Sequence, residues 1–324
     1  MRIQKREVEN MYIGFDIGGT TVKYGVLDEA GNILEKNAMP TNYDLAAFLN
    51  ELHEIVKDAQ KRYSVIDGIG ISAPGIIQKD GYMLTAGAIK PFYGANLKVE
   101  LERLTGLGVS IENDANAAAI AERWIGNAQG MDNYLCLVLG TGIGGGIVIN
   151  GEVFRGAHGM AGEFGWSIID RLPETGDIEE VSWNKRAATV GGLCYQYNLA
   201  QKQADAAAEA IWDAREIFRR EAAGEALAIQ IVDQFLTDLS IGMLNLISCF
   251  DPEVILFGGG ISSNEEFNAR FQVRLNEIMD RHESIHYLKN KTIAPVLPAK
   301  LQNDAGMIGA VYQIHRQVTT QQLV

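Results

Sequence analysis

Tyr134-Leu-Cys-Leu-Val-Leu139 leads into Gly140-Thr-Gly-Ile-Gly-Gly-Gly146, and the apolar run Ile-Val-Ile then closes on Asn150-Gly151. The glycines satisfy the spacing G-x-G-x-x-G, which in dinucleotide-binding folds is followed directly by a helix. Here a strand pattern and an Asn-Gly turn follow instead. The segment therefore predicts a strand, a glycine-rich turn and a second strand. It argues against a dinucleotide site, and the Walker A pattern is absent from the sequence as well.

Two further glycine turns follow short apolar runs: Asp16-Ile-Gly-Gly-Thr-Thr21 and Leu256-Phe-Gly-Gly-Gly-Ile-Ser262. Glycine reaches positive φ and has no Cβ, so its backbone N–H can come close to a polyanion. Any one cluster is equally well explained as a tight hairpin turn. Surplus glycines cost roughly 0.5 to 1 kcal/mol each, so three such clusters indicate that something approaches the backbone closely. We expect one nucleotide held from several sides.

The composition excludes several classes of function. With 324 residues and 47% hydrophobic content the chain is long enough for two domains, and its net charge of -13 disfavours nucleic acid and anionic lipid as partners. Cys136, Cys194 and Cys249 are widely spaced in apolar contexts, so we expect core thiols rather than disulfides or metal ligands. The sequence shows neither a signal-peptide pattern nor 18 uninterrupted apolar residues, which predicts a cytoplasmic protein with no membrane partner.

The predicted elements repeat along the chain. Strands at 12–16 and 22–27 flank the first glycine turn, and strands at 134–139 and 146–149 flank the second, which suggests a duplicated domain. Asp44 is expected to cap an amphipathic helix. Further predictions are strands at 65–72, 109–112, 253–257 and 292–296, and helices at 114–124, 204–223, 226–250, 264–281 and 304–315. We expect a smaller N-terminal domain at 11–120 with a C-terminal helix at about 304–318, a larger domain at 121–303, and a flexible extension at 1–10.

Five segments, in this order, resemble the motifs of the ROK (repressor, open reading frame, kinase) sugar kinases: Asp16-Ile-Gly-Gly-Thr20, Glu112-Asn-Asp-Ala-Asn116, Leu139-Gly-Thr-Gly-Ile-Gly-Gly-Gly146, Gly159-Met-Ala-Gly-Glu-Phe-Gly165 and Phe257-Gly-Gly-Gly260. The resemblance spans residues 11 to about 313. It implies an α/β actin-like ATPase (ribonuclease H-like) fold, with two duplicated α/β domains around an interdomain cleft in which ATP and sugar meet. It also implies Mg²⁺ as a cofactor and a homodimer or homotetramer.

Asp114 stands where a predicted strand becomes a helix, so its ordinary role would be that of an N-cap. A helix N-terminus also favours the carboxylate form, which can accept a proton from a sugar hydroxyl. The catalytic Asp of the family matches this position, and we therefore expect Asp114 to be the general base. Asp16 is expected to hold hydrated Mg²⁺ through water, with an Asx turn as the alternative.

Phosphoryl transfer depends mainly on positioning and charge stabilisation, so backbone amides should carry much of the effect. The candidates for phosphate contacts are Gly18, Gly19, Thr20, Thr141 and Gly142. Gly258, Gly259 and Gly260 resemble the adenosine-side loop of the family. Lys23 is expected to be a solvated strand charge, with phosphate neutralisation as the alternative.

Asn113, Glu163, Gly75 and Trp166 are the candidate sugar-binding residues. Many relatives carry a His where this chain has Trp166, followed by a cysteine-rich zinc loop and a further Glu near the position of Asn184. The sequence has no cysteine between Cys136 and Cys194, so we expect no zinc site, and we interpret His158 as a loop residue.

Two readings of Trp166 stay open: an aromatic face for a sugar ring or an aglycone, or a side chain that fills the volume of the missing zinc loop. Ala88 also stands near a position where many relatives have Asn. Together these differences resemble the β-glucoside kinase branch of the family.

The resemblance therefore implies an ATP- and Mg²⁺-dependent kinase that phosphorylates the 6-hydroxyl of glucose or a β-glucoside. An N-acetylmannosamine or other N-acylhexosamine kinase is the alternative. A non-catalytic sugar-sensing regulatory protein is an alternative of another class, although the repressors of the family carry a helix-turn-helix domain for which the position of Asp16 leaves no room. A structural actin-like ATPase would not need the Glu112–Asn116 or Gly162–Gly165 segments.

Overall fold

The computed structural model describes residues 10–322, so nine of the ten residues of the expected N-terminal extension lie outside it. The strands within this range are β1 Met11–Ile17, β2 Thr21–Asp28, β3 Ile33–Pro40, β4 Gly68–Ala73, β5 Gly108–Asn113, β6 Tyr134–Leu139, β7 Ile143–Ile149, β8 Glu152–Val153, β9 Val254–Gly258 and β10 Val296–Pro298. The α-helices are α1 Leu45–Arg62, α2 Leu97–Thr105, α3 Asp114–Ile125, α4 Trp183–Ala187, α5 Tyr195–Ala204, α6 Ala214–Ala222, α7 Ala226–Phe250, α8 Glu265–Asp280, α9 Glu283–Leu288 and α10 Ala305–Gln322. A π-helical segment, Thr189–Cys194, lies between α4 and α5.

The strands form two five-stranded sheets with the same strand topology. In the first sheet the order is β3-β2-β1-β4-β5, and in the second it is β8-β7-β6-β9-β10. In each, the first strand pairs antiparallel with the next one along the chain and parallel with the fourth. The predicted repetition is confirmed in the sheet topology. The second glycine turn joins the antiparallel pair β6 and β7, so the strand-turn-strand prediction is confirmed too.

The chain divides into two compact units. Of the described residues, unit 1 contains 10–130, the segment Arg155–Met160 and 304–322. Unit 2 contains Met131–Phe154 and Ala161–Asn303. Each unit has its own apolar core around its own sheet. The predicted domains, 11–120 with the C-terminal helix at about 304–318, and 121–303, stay a prediction.

Helix α1 forms as its sequence pattern predicts. The Oδ1 atom of Asp44 accepts a hydrogen bond of 2.9 Å from the N–H of Ala47, which caps the first turn. The apolar stripe is buried in unit 1, and its buried members are Phe48, Leu49, Leu52, Val56 and Ala59. The amphipathic spacing therefore decides both the element and the face that it buries.

The predicted helix at 204–223 was wrong in its first half. Helix α5 ends at Ala204, and α6 begins only at Ala214 with Asp213 as its N-cap. Between them the amide of Asn198 makes two hydrogen bonds with the backbone of Ile211, one as donor and one as acceptor. These tertiary bonds hold an alanine-rich segment out of the helix that its propensity favours.

Three smaller predictions also need correction. The last strand is Val296–Pro298 rather than 292–296, and the closing helix continues past residue 315 to Gln322. Cys136 and Cys194 are buried as expected, but Cys249 is exposed near the end of α7. Burial raises the pKa of the Cys194 thiol to about 11, which makes it a core thiol with little thiolate character.

One helix in the described range, α7, is long and apolar enough to cross a membrane by length and composition. About half of it is inside the protein (56% of the most apolar window), and its buried residues belong to the core of unit 2. A core helix of a water-soluble protein passes the same test, so the helix is weak evidence for a membrane span.

Candidate active site

The first glycine turn is supported from behind by residues 41–43. The hydroxyl of Thr41 donates to the carbonyl of Gly18 (2.7 Å), and the phenol of Tyr43 donates to the carbonyl of Gly19 (2.8 Å). The N–H of Thr41 donates to the carbonyl of Thr20 (3.0 Å). Three consecutive carbonyls of the turn thus point to residues 41–43, which we call the backing segment of this turn.

The second glycine turn is supported in the same way by residues 189–191. The hydroxyl of Thr189 donates to the carbonyl of Leu139 (3.2 Å). The N–H groups of Val190 and Gly191 donate to the carbonyls of Gly140 and Thr141, both at 3.0 Å. The donors belong to the π-helical segment, a rare conformation that is frequent at functional sites.

This backing fixes the direction of the turn amides. In a trans peptide the C=O of one residue and the N–H of the next point in opposite directions, and the described chain has no cis peptide bond. The N–H groups of Gly19, Thr20, Thr141 and Gly142 therefore point away from the backing segments. Within residues 10–322 none of these four amides has a hydrogen-bond acceptor in the protein. Successive unpartnered amides of this kind form an anion-binding concavity.

Several glycines near the second turn serve internal packing rather than a ligand. A Cβ at Gly145 would overlap the ring of Phe164, and a Cβ at Gly162 would overlap the carbonyl of Gly145. A Cβ at Gly140, by contrast, would meet no atom within 4 Å. At Gly145 the group that approaches the backbone closely is therefore Phe164 of the protein itself, while Gly140 has open space beside it.

The third glycine turn packs against the end of β6. Gly259 has φ +96°, and a Cβ there would overlap the carbonyl of Leu139, so both its conformation and its surroundings require glycine. Gly258 is buried at the end of β9, whereas Gly260 is exposed with open space around its Cα. Among the turn residues assigned to nucleotide binding in the two units, only Gly259 has a positive φ. Of the other assigned glycines, Gly18 and Gly142 need their small size, because a Cβ there would lie 2.9 Å from the carbonyl of Thr21 and 3.2 Å from the Oδ1 of Asn184.

Asp16 lies at the end of β1 with its side chain 20% exposed. Its Oδ1 accepts a hydrogen bond of 2.8 Å from the hydroxyl of Ser72, and its Oδ2 lies 3.6 Å from the Nζ of Lys23. Burial raises the pKa of Asp16, and the contacts with Ser72 and Lys23 partly offset that effect. Lys23, a charge on β2 whose side chain is 34% exposed, is therefore also an ion-pair partner of Asp16.

The surroundings of Asp16 fit a hydrated cation better than a directly coordinated one. Within residues 10–322 no group of three His, Cys, Asp or Glu side chains is close enough to hold a metal ion. Among the described residues the Oδ2 of Asp16 has the long ion pair with Lys23 as its one polar contact, so it can accept a hydrogen bond from a metal-bound water. A cation nearby would also favour the charged form of this buried carboxyl group.

Asn113 rather than Asp114 is the N-cap of α3. Its Oδ1 accepts hydrogen bonds from the N–H groups of Ala115 (3.0 Å) and Asn116 (3.2 Å), and its Nδ2 donates to the carbonyl of Gly75 (2.9 Å). Asp114 is the first helical residue, and its Oδ1 accepts from the N–H of Ala115 (2.9 Å). The helix N-terminus therefore stabilises the carboxylate form of Asp114, while its neighbour takes the capping role.

The buried Glu112 holds the junction where β5 ends at Asn113 and α3 begins at Asp114. Its Oε1 accepts hydrogen bonds from the backbone N–H of Asn113 (3.0 Å) and from the side-chain Nδ2 of Asn116 (3.0 Å). Its Oε2 forms an ion pair with Arg155. Arg155 opens the segment Arg155–Met160, which packs in unit 1. The sequence reasoning missed this ion pair because the two residues are 43 positions apart.

Glu163 and Trp166 lie in unit 2, in a turn whose last residues, Phe164–Trp166, are 3₁₀-helical. The carboxyl group of Glu163 is half-buried, and no hydrogen bond or ion pair joins it to another side chain or to the backbone in residues 10–322. Burial raises its pKa. The Trp166 side chain is 53% exposed, which argues against the reading that it fills the volume of a missing loop.

Asn184 bonds the second glycine turn. Its Oδ1 accepts a hydrogen bond of 2.6 Å from the N–H of Ile143, and a Cβ at Gly142 would lie 3.2 Å from the same oxygen. Gly165 packs against Asn184 so closely that a Cβ there would overlap it. The turn that carries Glu163 and the turn that carries Thr141 are therefore packed against each other within unit 2.

The remaining candidates have simple positions. Gly75 has φ +98°, and a Cβ there would overlap the carbonyl of Thr85. The Cβ of Ala88 lies 3.7 Å from the position that a Cβ on Gly19 would take, so this residue borders the first glycine turn. His158 is exposed, as expected for a loop residue.

The candidates form one group in each unit. Unit 1 brings together Asp16, Gly18, Gly19, Thr20, Gly75, Asn113 and Asp114, and unit 2 contains Thr141, Gly142, Glu163, Trp166, Gly258, Gly259 and Gly260. Thr41, Tyr43 and the 189–191 segment were missed. The only sequence signal for the last of these was the Gly191-Gly192 pair, which has no turn signature.

The chain belongs to the ROK family, whose sequence profile matches residues 12–317. It is 36% identical over 302 residues to a β-glucoside kinase of Listeria monocytogenes, covering 92% of this chain and 95% of the relative. It is 33% identical over 327 residues to a glucokinase of Halalkalibacterium halodurans, covering 95% and 96%. The crystal structure of a ROK family glucokinase from Streptomyces griseus, in complex with glucose and AMPPNP, is similar with a TM-score of 0.75 at 29% identity, covering 95% of this chain and 99% of the other. The expected actin-like ATPase fold is confirmed.

Proposed function

We propose that this protein is an ATP- and Mg²⁺-dependent sugar kinase that phosphorylates the 6-hydroxyl of glucose or of a β-glucoside. The observation that carries this proposal is the set of four turn amides without protein acceptors, which suits the phosphates of a nucleotide. The similarity to a β-glucoside kinase and to glucokinases supports the choice of acceptor.

In the proposed mechanism the Asp114 carboxylate accepts the proton of the sugar 6-hydroxyl. The freed oxygen attacks the γ-phosphorus of ATP, the bond from that phosphorus to the bridging oxygen breaks, and ADP leaves with the bonding electrons. The amides of Gly19, Thr20, Thr141 and Gly142 stabilise the charge on the phosphate oxygens during transfer. Mg²⁺, held through water by Asp16, would neutralise part of that charge when bound.

Sugar binding is assigned to Asn113, Gly75, Glu163 and Trp166. Glu163 offers two acceptor oxygens that have no partner within residues 10–322, which suits a pair of sugar hydroxyls. The Nδ2 of Asn113 carries two protons and donates one to the carbonyl of Gly75, so the other can be donated to a sugar oxygen. The Oδ1 of Asn113 is used in capping α3. The exposed indole of Trp166 offers an aromatic face, which we assign to the aglycone of a β-glucoside.

Gly258, Gly259 and Gly260 are assigned to the adenosine side, where the open space at Gly260 leaves room for a nucleoside. We place the enzyme in the cytoplasm, as a homodimer or homotetramer. These last assignments follow from membership of the family.

The test is a comparison of acceptors with purified protein, MgATP and glucose, cellobiose, N-acetylmannosamine or N-acetylglucosamine, with ADP release as the readout. We expect turnover with glucose or cellobiose. Turnover with an N-acyl sugar alone would replace this proposal with the hexosamine kinase alternative. Absence of turnover with all four, together with sugar binding by calorimetry, would favour a non-catalytic sugar sensor.

A second experiment tests the role of Trp166. We expect Trp166→Ala to lower kcat/KM for cellobiose by roughly three- to tenfold, because an aromatic contact contributes about 0.5 to 1.5 kcal/mol, with little change for glucose. Trp212→Ala is the matched control, since Trp212 is also exposed (57%) and lies outside the proposed site. Equal losses on cellobiose and glucose would contradict an aglycone role.

A further inference from the structure

The two glycine turns differ in how their carbonyls are held. In the second turn the carbonyls of Gly140 and Thr141 are bonded by backbone N–H groups of a π-helical segment. In the first turn the carbonyls of Gly18 and Gly19 are bonded by side-chain hydroxyls, those of Thr41 and Tyr43. The first turn therefore depends on two specific side chains from a different part of the chain.

We propose that Thr41 and Tyr43 are positioning residues that aim the N–H groups of Gly19 and Thr20 at the nucleotide phosphates. Each hydroxyl bonds the carbonyl of the peptide unit whose N–H is directed away from it, so one hydrogen bond fixes the orientation of one amide. The inference rests on the proposed function, because it takes the anion at these amides to be the phosphate of ATP.

The sequence of the first turn makes such support necessary. Gly18 and Gly19 have no Cβ, so the peptide units of the turn can rotate at little steric cost unless something outside the turn holds them. The N–H of Gly18 is already used within the turn, where it donates to the carbonyl of Thr21 (3.0 Å). Thr41 supplies both its hydroxyl and its N–H, and the latter bonds the carbonyl of Thr20. Two side chains thus prearrange a donor pair that glycine alone would leave mobile.

The experiment measures binding of Mg-AMPPNP by calorimetry to wild-type protein and to Thr41→Val, Thr41→Ser and Tyr43→Phe. Loss of one hydrogen bond is expected to weaken binding roughly three- to tenfold in Thr41→Val and in Tyr43→Phe, while Thr41→Ser keeps the hydroxyl and binds like wild type. The KM for the sugar is expected to stay within about twofold.

The matched controls remove similar bonds elsewhere in unit 1. Thr105→Val deletes a 2.7 Å hydroxyl-to-carbonyl bond at the end of α2. Tyr63→Phe deletes a 2.7 Å bond from a phenol to the carboxylate of Glu35, away from the glycine turn. Both controls should bind Mg-AMPPNP normally. Equal weakening in the controls, or failure of Thr41→Ser to restore binding, would overturn the inference.

A second readout separates positioning from direct contact with the ligand. In nucleotide-free protein, Tyr43→Phe should shift the backbone amide resonance of Thr20, and Thr41→Val that of Gly19, because each loses the bond that orients its peptide unit. Unchanged amide resonances with weakened binding would mean that the hydroxyls touch the nucleotide directly. Wild-type protein that fails to bind Mg-AMPPNP would refute the proposed function, whereas normal binding by all variants would refute only this inference.

Discussion

Asn113 and Asp114 divide two tasks that a single residue could have performed. Asn113 caps α3 through its Oδ1 and ties the strand end to Gly75 through its Nδ2. Asp114 lies one position further on, where the helix N-terminus favours its negative charge. Because the cap is supplied by its neighbour, Asp114 can be altered without removing the main N-terminal hydrogen bonds of the helix.

We therefore expect Asp114→Asn to fold normally and to bind sugar, while kcat falls by roughly two to four orders of magnitude, because an amide cannot accept the hydroxyl proton. Turnover by steady-state kinetics and stability by urea denaturation check this. Asp213→Asn is the matched control, since Asp213 caps α6 outside the proposed site and its replacement should leave kcat unchanged. Near-normal turnover in Asp114→Asn would refute the general-base assignment.

The buried carboxyl group of Asp16 leads to a prediction of how the stability of the protein depends on pH. Burial raises its pKa, so the folded protein holds this proton more tightly than the unfolded chain does. The resulting loss of stability begins as the pH rises through the ordinary pKa of Asp in the unfolded chain and is complete above the raised folded-state pKa. Asp16→Asn should therefore raise the free energy of unfolding at pH 8, with a smaller gain as the pH falls toward the ordinary pKa of Asp. The same variant should lose kinase activity, because it loses the proposed ligand of hydrated Mg²⁺.

Urea denaturation of the Asp16 variant at pH 8 and near pH 4.5 measures this trend. Asp280→Asn is the control, because Lys289 and His286 lower the pKa of Asp280, the opposite direction to Asp16. Loss of the Asp280 charge should therefore not stabilise the protein at pH 8. An Asp16→Asn variant less stable than wild type at pH 8 would show that the bonds to Ser72 and Lys23 outweigh burial.

The identities of these residues could be predicted from the sequence, but their partners could not. Asp16, Asp114 and Glu163 stand in motifs that mark them as candidates from the order of residues alone. The pairing of Lys23 with Asp16, and of Arg155 with Glu112, depends on strand register and on the path of a loop. Likewise the N-cap was assigned one residue too late, because Asn and Asp are both good caps and only the backbone geometry distinguishes them.

The second glycine turn and the turn that carries Glu163 are joined by packing between glycines and one aromatic ring. Phe164 lies over Gly145, and Gly162 lies against the Gly145 carbonyl. In the sequence these glycines looked alike, since all of them fall within two glycine-rich motifs. Only the fold shows which of them face the protein and which face open space.

We expect Gly145→Ala to destabilise the protein by roughly 1 to 3 kcal/mol, because the added methyl overlaps the Phe164 ring in a packed region. Gly140→Ala is the matched control in the same turn, where a Cβ would meet nothing within 4 Å, so its stability should change little. Urea denaturation of both variants measures the difference. Equal stability of the two would contradict the packing described for β7 and the Phe164 turn.

Element prediction succeeded where local pattern and packing agree and failed where distant contacts decide. Helix α1 has its cap and its apolar stripe in one continuous segment, and it was predicted correctly. The break between α5 and α6 depends on Asn198 bonding Ile211 across 13 positions, which no local pattern reveals. The π-helical segment at 189–194 was missed for the same reason, since it forms hydrogen bonds with Gly140 and Thr141, about 50 positions earlier in the chain.

The two sheets show the same sequence of antiparallel and parallel pairings, and each unit presents a glycine turn between its first two strands. In each turn two consecutive amides are directed away from a backing segment. This repetition could be predicted from the order of strands and glycines. The backing segments could not, because they differ between the units in both element type and position.

The kinase assignment is tested most directly by ³¹P NMR of the products formed from MgATP with glucose and with cellobiose. We expect ADP and a phosphate monoester on the 6-oxygen of the sugar, with both signals dependent on the sugar and lost in Asp114→Asn. Release of inorganic phosphate without a sugar phosphate, or a phosphate placed on the anomeric oxygen, would contradict the assignment.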